Sequence, residues 1–238
     1  MRGSFTSASK HERDEVVADL KKAMDAAVAL GCNRITTCPL NEGHDYIFEM
    51  DYYKAYGYFE DSIAEAANHN PDVKISLEYK WNDPRARCFF GNAGETLAFC
   101  QGLGLPNVGV TLDFGHAIQA GERPAQSAAM LARANRLFYV HLNDNDKFWD
   151  WDMLPGAYNF WDFVEFFYYV KKLGYDDWFA YDIFPKEVDM ASHFSAAISI
   201  TDKLIDFSQK LNEADISRLF EKRNPTTSME YLYSLINI

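Results

Sequence analysis

The chain has 238 residues, of which 48% are hydrophobic and 16% aromatic, and its formal net charge is −12. A chain of this length and apolar content can bury a full core in one large domain, which excludes a disordered protein. The strong negative charge disfavours nucleic acid and anionic membranes as partners, and no apolar run approaches the roughly 20 residues that span a bilayer.

The N-terminus and the cysteines indicate the compartment in which the protein works. Residues 1–15 contain no apolar segment of the kind that a secretory signal needs. The four cysteines, at positions 32, 38, 88 and 100, form neither a C-x-x-C pair nor a dense disulfide scaffold. We therefore expect a reduced, cytoplasmic setting, with all four cysteines as buried or idle thiols.

Helical and strand-like segments alternate along the chain. Apolar residues at helical spacing predict helices at 12–30, 52–68, 94–103, 124–135, 160–173 and 192–211. Short β-rich runs between them predict strands at 34–38, 73–79, 108–114, 137–142 and 178–184. Strands separated by helices, without hairpin turns, are typical of parallel βαβ units whose sheet is buried on both faces.

The end of the chain departs from this alternation. After a polar break at 223–227, residues 229–235 form an apolar segment that needs a surface to cover it. We predict a barrel-type domain over 1–212 and a C-terminal helical extension over 213–238. The apolar segment favours a contact within a homo-oligomer over docking on its own domain.

Four of the five predicted strands end in a residue that can bind a hard or borderline cation. These residues are Glu78, Asp113, His141 and Asp182. In parallel α/β folds the carboxyl ends of the strands meet on one face, so we expect the four side chains around a common point. Three carboxylates and one imidazole suit Mn²⁺, Mg²⁺ or Co²⁺ with positions left for substrate oxygens, whereas a purely structural zinc site would favour a second histidine. Singly, such an Asp can cap a helix and such a His can be a core residue, but four at successive strand ends favour a shared site.

The segments around these residues resemble the xylose isomerase-like TIM barrel superfamily, in particular its sugar isomerase and sugar 3-epimerase branch. The resemblance extends over about 75–186 and is carried by the runs Leu77–Lys80, Gly109–Ala117, Val140–Asp144 and Tyr181–Pro185. It implies an α/β fold of the (β/α) TIM-barrel type and an enzyme that interconverts sugars through an enediol or a hydride shift. It also implies a divalent metal, most often Mn²⁺ and alternatively Mg²⁺, Co²⁺ or Zn²⁺.

The resemblance assigns roles to individual residues. By similarity, the metal ligands are Glu78, Asp113, His141 and Asp182, and His116 contacts a substrate hydroxyl or carbonyl. Glu78 and Asp182 are the expected catalytic carboxylates, since in the 3-epimerases these two positions exchange protons with the two faces of the sugar.

Further candidates lie close to the predicted site. Lys80, Trp81 and Arg85 are candidate substrate contacts, with ordinary surface charge as the alternative for Lys80 and Arg85. An acidic loop follows His141 and could hold a second metal, with a solvated loop as the alternative; its polar residues are Asn143, Asp144, Asp146, Asp150 and Asp152. Aromatic residues could stack on apolar sugar faces, with core packing as the alternative for each: Trp81, Phe148, Trp149, Trp151, Phe160 and Trp161.

Two departures from the family pattern shape the expected activity. The last ligand is Asp182, where the ketose 3-epimerases have Glu, and the shorter side chain weakens epimerase relative to isomerase. A full barrel needs eight βα units, whereas five strands are predicted. We therefore expect the first third of the usual barrel to be missing, through a truncation or because another chain completes the barrel.

Other functions stay open at this point. A non-catalytic or truncated metal-binding barrel subunit is one alternative, and a metal-dependent lyase or dehydratase acting on a sugar derivative is another. An endonuclease IV-like DNA repair enzyme is disfavoured by the acidic charge and by the presence of only six histidines. No glycine-rich phosphate loop is evident, which favours a free sugar as the small-molecule partner.

Overall fold

The computed structural model describes residues 4–40, 42–83 and 86–236. Within them, a curled parallel sheet is covered by helices. The strands are β1 (Arg34–Thr37), β2 (Gly43–His44), β3 (Lys74–Glu78), β4 (Asn82–Asp83), β5 (Ala86–Cys88), β6 (Val108–Asp113), β7 (Leu137–Leu142) and β8 (Phe179–Tyr181). The helices are α1 (Lys10–Ala29), α2 (Tyr52–His69), α3 (Ala93–Leu103), α4 (Phe114–Gln119), α5 (Pro124–Arg133), α6 (Phe160–Lys172), α7 (Met190–Ser208), α8 (Glu213–Lys222) and α9 (Pro225–Ser234).

The main sheet has the strand order β1-β3-β6-β7-β8, and every neighbouring pair is parallel. This confirms the predicted α/β fold of the barrel type, with five barrel strands among the described residues instead of eight. The ladders pair Glu78 with Thr111 and Asp113 with His141, so the carboxyl ends of the inner strands lie at one edge of the sheet. β3 and β6 are apolar and buried because helices cover one face of the sheet and its curled interior covers the other.

Four of the five predicted strands are shorter in the structure: those predicted over 34–38 and 73–79 cover Arg34–Thr37 and Lys74–Glu78, and the other two end early for local reasons. The strand predicted over 108–114 ends at Asp113, because its side chain accepts a hydrogen bond from the backbone N–H of His116 and starts α4 there. The strand predicted over 178–184 covers only Phe179–Tyr181 in the described sheet, since β8 pairs with β7 alone and leaves the ladder after Asp182.

A small antiparallel ribbon of β2, β5 and β4 lies outside the main sheet and was not predicted. Its strands have two or three residues each, too short for an alternating pattern to show in the sequence. Gly43 is required where β2 meets β5, because a Cβ there would lie 2.4 Å from the carbonyl oxygen of Arg87.

Two long-range polar contacts fix the ends of the partial barrel. Arg34 on β1 forms an ion pair of 2.6 Å with Asp177, just before β8, and donates a 2.7 Å hydrogen bond to the carbonyl of Phe138. The curl of the sheet therefore brings its first and last strands together at their amino ends.

Elsewhere, the fully buried Glu42 carboxylate accepts hydrogen bonds from the backbone N–H groups of residues 4, 5 and 6 at 2.6, 2.8 and 2.9 Å.

The C-terminal helices pack on the outside of the barrel helices. Tyr233 of α9 contacts Trp161 of α6, with ring centroids 5.5 Å apart, and a cavity of about 600 Å³ lies between α5, α6, α8 and α9. α9 has no fully buried residue, and Met229 and Tyr233 remain largely exposed. The domain boundary at 212 stays a prediction. Among the described residues, no helix is long and apolar enough to cross a membrane.

Candidate functional site

The four strand-end residues converge as the sequence predicts. Ligand atoms of Glu78, Asp113, His141 and Asp182 all lie within 4.8 Å of one another. His141 Nδ1 is central, at 3.0 Å from Glu78 Oε1, 3.7 Å from Asp182 Oδ2 and 3.8 Å from Asp113 Oδ2. We call these four residues the tetrad; their roles as ligands and catalysts stay predictions.

The sheet and its neighbours hold Asp113 rigidly. Its Oδ1 accepts the 2.7 Å capping bond from the N–H of His116, and its Oδ2 accepts a 2.9 Å hydrogen bond from Asn143 Nδ2. Both partners are buried, as is Asp113 itself. The orientation of the carboxylate is therefore set before any cation binds, which is how outer hydrogen bonds tune a metal ligand.

The clustered carboxylates of the tetrad favour positive charge on the groups beside them. Burial and the neighbouring Glu78 raise the pKa of Asp113 to about 6. Burial acts in the same direction on Glu78, but hydrogen bonds and charges from His116 and His141 outweigh it and lower that pKa to about 2. Burial would lower the pKa of both histidines, but the surrounding carboxylates raise it instead. The surrounding carboxylates thus favour the protonated form of both imidazoles.

The donor set fits a divalent cation. Among the described residues, the ion-pair partners of the tetrad carboxylates are histidines, without a lysine or arginine. Three buried or half-buried carboxylates without a fixed cation are costly unless a metal or protons neutralise them. Oxygen-rich sites with one imidazole suit Mn²⁺, Mg²⁺ or Co²⁺.

A second network adjoins the tetrad. His116 Nε2 lies 3.1 Å from Asp150 Oδ2, and Lys80 Nζ lies 2.9 Å from the same oxygen and 2.7 Å from Asp83. Lys80 is 12% exposed, so the surface-charge alternative for this residue is wrong. Burial alone would lower its pKa, but Asp150 and Asp83 outweigh burial and raise it. The Lys80 ammonium group and His116 therefore contact the same carboxylate oxygen, Asp150 Oδ2.

The acidic loop divides into structural and site-facing residues. Asp144 accepts hydrogen bonds from the backbone of Tyr158 and Asn159, and Asp146 accepts one from the indole N–H of Trp151. Among the described His, Cys, Asp and Glu residues, the two groups whose ligand atoms lie within 4.8 Å of one another include no residue of this loop. Asp150 instead pairs with Lys80 and His116. Burial, followed by the charges of Asp150 and Asp182, raises the pKa of Asp152 to about 7.

The remaining predicted contacts differ in their placement. Arg85 lies outside the described residues. Trp81 carries the Arg87 guanidinium 4.6 Å from its ring centroid, and its role in substrate binding stays a prediction. Phe160 and Trp161 pack against Phe207 of α7, with Phe160 still 36% exposed, and a role for either ring in substrate binding stays a prediction.

Sequence reasoning assigned Asn143 only to the acidic loop and missed its contact with Asp113, and it did not place Cys38 in this site. Asn143 lies two positions after His141, so the alternation of the strand places both on one side; that spacing was the available signal. Cys38 follows β1 directly, and the register that pairs Thr37 with Leu77 brings it beside Glu78. Burial and the charge of Glu78 raise the pKa of the Cys38 thiol well above its usual range.

Known proteins share both sequence and fold with this chain. The family described as xylose isomerase-like TIM barrel matches residues 1–211. The xylose isomerase of Thermus thermophilus is 27% identical over 147 residues, and that of Thermus caldophilus is 25% identical over 146 residues. These alignments cover 60% and 59% of this chain but only 38% of each relative, so the chain matches well under half of their length.

Three solved structures illustrate the shared fold. An L-ribulose 3-epimerase has a TM-score of 0.75 at 17% identity, covering 90% of this chain and 74% of that one. A D-tagatose 3-epimerase-like protein has a TM-score of 0.74 at 19% identity, covering 87% and 74%. The IOLI protein, solved with a bound zinc atom, has a TM-score of 0.68 at 19% identity, covering 84% and 73%. The parallel strand order and the covering helices agree with this fold. Because the family model matches residues 1–211, the chain belongs to the xylose isomerase-like TIM barrel family.

Proposed function

We propose that this protein is a divalent-metal-dependent sugar isomerase or epimerase, interconverting an aldose with a ketose or two ketose epimers. The observation that carries the proposal is the convergence of Glu78, Asp113, His141 and Asp182 within 4.8 Å at the ends of adjacent strands. The names of the relatives, xylose isomerases and 3-epimerases, support the same class of reaction.

The proposed cofactor is Mn²⁺, with Mg²⁺, Co²⁺ and Zn²⁺ as alternatives, held by the tetrad. When bound, such a cation supplies Lewis-acid stabilisation of the negative charge that develops on the sugar oxygens. The zinc atom in the IOLI structure supports a cation on this fold. A second cation at the acidic loop would have to displace Lys80 from Asp150.

The residues of the chain would divide the remaining tasks. Glu78 and Asp182 are the proposed proton-exchanging carboxylates. Burial and the charge of Glu78 raise the pKa of Asp182 above its usual value, which brings it closer to the working range of a general acid or base. His116 and Lys80, oriented by Asp150, would donate hydrogen bonds to substrate oxygens. The short side chain of Asp182 favours an isomerase, which needs one carboxylate at the sugar carbon, over an epimerase, which needs two.

The assembly and setting are proposed on separate grounds. The exposed Met229 and Tyr233 of α9 support a homo-oligomer with an apolar contact at the C-terminal helices. The cysteine pattern supports a reduced cytoplasmic setting.

Metal content and sugar conversion test the proposal together. The purified protein, after incubation with Mn²⁺ and removal of free metal, is compared with His141→Ala and with His69→Ala, which alters an exposed histidine paired with Asp25. We expect about one bound metal per chain in the wild type and in His69→Ala, and a marked loss in His141→Ala. A wild type that binds no divalent cation would contradict the proposal.

The reaction is then resolved by NMR on free aldoses and ketoses in D₂O. An enediol route introduces deuterium at the exchanged carbon, whereas a hydride shift keeps the original hydrogen. Loss of water or carbon–carbon cleavage would indicate the lyase alternative. Metal binding without conversion of any sugar would favour the non-catalytic subunit.

A further inference from the structure

A second group of possible metal ligands overlaps the tetrad. Cys38, Glu78 and His116 each offer a ligand atom, and the three atoms lie within 4.8 Å of one another. Cys38 extends from the end of β1, Glu78 ends β3, and His116 lies in the first turns of α4. The group is therefore built on three neighbouring elements of the sheet edge and does not depend on the acidic loop.

His116 turns one ring nitrogen toward this group. Its side chain is 4% exposed, and Nδ1 lies 3.3 Å from Glu78 Oε1. The other ring nitrogen, Nε2, lies 3.1 Å from Asp150. A histidine that holds a carboxylate on one nitrogen and directs the other at thiol and carboxylate ligands has the arrangement typical of a metal-binding histidine.

The donor chemistry of this group differs from that of the tetrad. One sulfur, one imidazole and one carboxylate form a set that favours Zn²⁺ and other borderline or soft cations. The tetrad has no sulfur and favours harder cations. Cys38 is a free thiol, and its raised pKa keeps it protonated, so it is not a ready nucleophile.

We propose that Cys38, Glu78 and His116 form a site for a thiophilic divalent cation of the Zn²⁺ or Cd²⁺ type, sharing Glu78 with the tetrad. Binding requires small movements of the three side chains to bring them into a common coordination sphere. The Cys38 thiol releases its proton to water as the sulfur–metal bond forms. Since Glu78 is shared, occupation of this site withdraws a tetrad carboxylate, and thiophilic cations inhibit any reaction that needs it.

Cobalt spectroscopy tests the sulfur ligand directly. The metal-free protein is titrated with Co²⁺ while the near-ultraviolet thiolate-to-cobalt band and the visible d–d bands are recorded. We expect the thiolate band in the wild type, its loss in Cys38→Ser, and its retention in Cys88→Ser and Cys32→Ser. A wild type that develops d–d bands without a thiolate band, or a Cys38→Ser variant that keeps the thiolate band, overturns the proposal.

Two further measurements separate this site from the tetrad and from misfolding. In His141→Ala the thiolate band should persist, so the new site can stand even where the tetrad does not bind metal. In the unmodified protein, Zn²⁺ at about ten times its dissociation constant should slow alkylation of Cys38 about tenfold and leave the exposed Cys32 unaffected, as read by peptide mass mapping. Equal labelling of Cys38 with and without Zn²⁺ overturns the proposal.

Discussion

The inner and outer strands of the sheet offer the tetrad different surroundings. β3 and β6 pair on both sides, and their ligands Glu78 and Asp113 are almost completely buried. In the described sheet β8 pairs on one side only, and the side chain of Asp182 beyond it is 33% exposed. The inner pair is therefore buried, whereas Asp182 remains open to solvent. Under the proposed function, this difference predicts that cation affinity depends mainly on the inner strands and that a substrate reaches the site beside the outer one.

The largest effect on metal affinity is expected from Asp113→Asn. The change removes a buried ligand held by two hydrogen bonds, and we expect affinity for Mn²⁺ to fall at least about 100-fold. Asp182→Asn should weaken binding only about tenfold, because water can replace a half-exposed ligand. Isothermal titration calorimetry measures both, with the exposed Asp176→Asn as the control. Equal losses in the two variants would remove the distinction between inner and outer ligands.

Asn143→Ala tests whether the inner ligand owes its strength to orientation. Asp113 Oδ2 loses the Asn143 hydrogen bond while every tetrad residue remains. We expect metal affinity to fall about 10- to 100-fold. The same titration checks this, with Asn68→Ala on the exposed face of α2 as the matched control. An unchanged affinity would show that the sheet alone orients Asp113.

The pH dependence of the metal-free protein sharpens the comparison. The pKa of Asp113 is raised to about 6 in the folded state, so its contribution to stability is greatest below the unfolded pKa and is lost as pH rises through about 6. We expect metal-free Asp113→Asn to gain up to about 3 kcal/mol over the wild type at about pH 8 and little at about pH 4. Urea denaturation in the presence of a chelator measures the difference. A gain of the same size at both pH values would indicate that charge burial is not its cause.

Arg34→Met should leave the site almost untouched. The ion pair with Asp177 and the bond to the Phe138 carbonyl lie at the amino ends of the strands, away from the tetrad. We expect the free energy of unfolding to fall by about 1 kcal/mol, since Asp177 stays partly solvated, with metal affinity unchanged. Lys10→Ala, which removes an exposed pair with Asp14, is the control for denaturation. A large loss of metal affinity in Arg34→Met would mean that the two ends of the sheet are coupled.

The sequence allows prediction of contacts that follow from regular geometry. Parallel strands with ligands at their carboxyl ends converge by register alone, so the meeting of Glu78, Asp113 and His141 could be predicted. The Arg34–Asp177 pair could not, because it joins positions 143 residues apart through the curl of the sheet. Lys80 was a candidate substrate contact, but its burial could not be predicted, because its partner Asp150 comes from a loop whose path no periodic pattern describes.

The hydrogen bonds that Glu42 accepts from residues 4–6 have a consequence for handling the protein. The described hydrogen bonds to its carboxylate come from the backbone N–H groups of residues 4–6 and from the hydroxyls of Ser4 and Thr6. Cleavage of those few residues by a protease, or a tag design that removes them, would leave a buried acid without donors. The backbone carbonyl of Glu42 also accepts a hydrogen bond from the N–H of Phe89, next to the antiparallel ribbon. The ribbon includes Asp83, which forms an ion pair with Lys80. We therefore expect removal of residues 4–6 to disturb this ribbon and, through Asp83, the position of Lys80, which activity assays of trimmed and untrimmed protein would check.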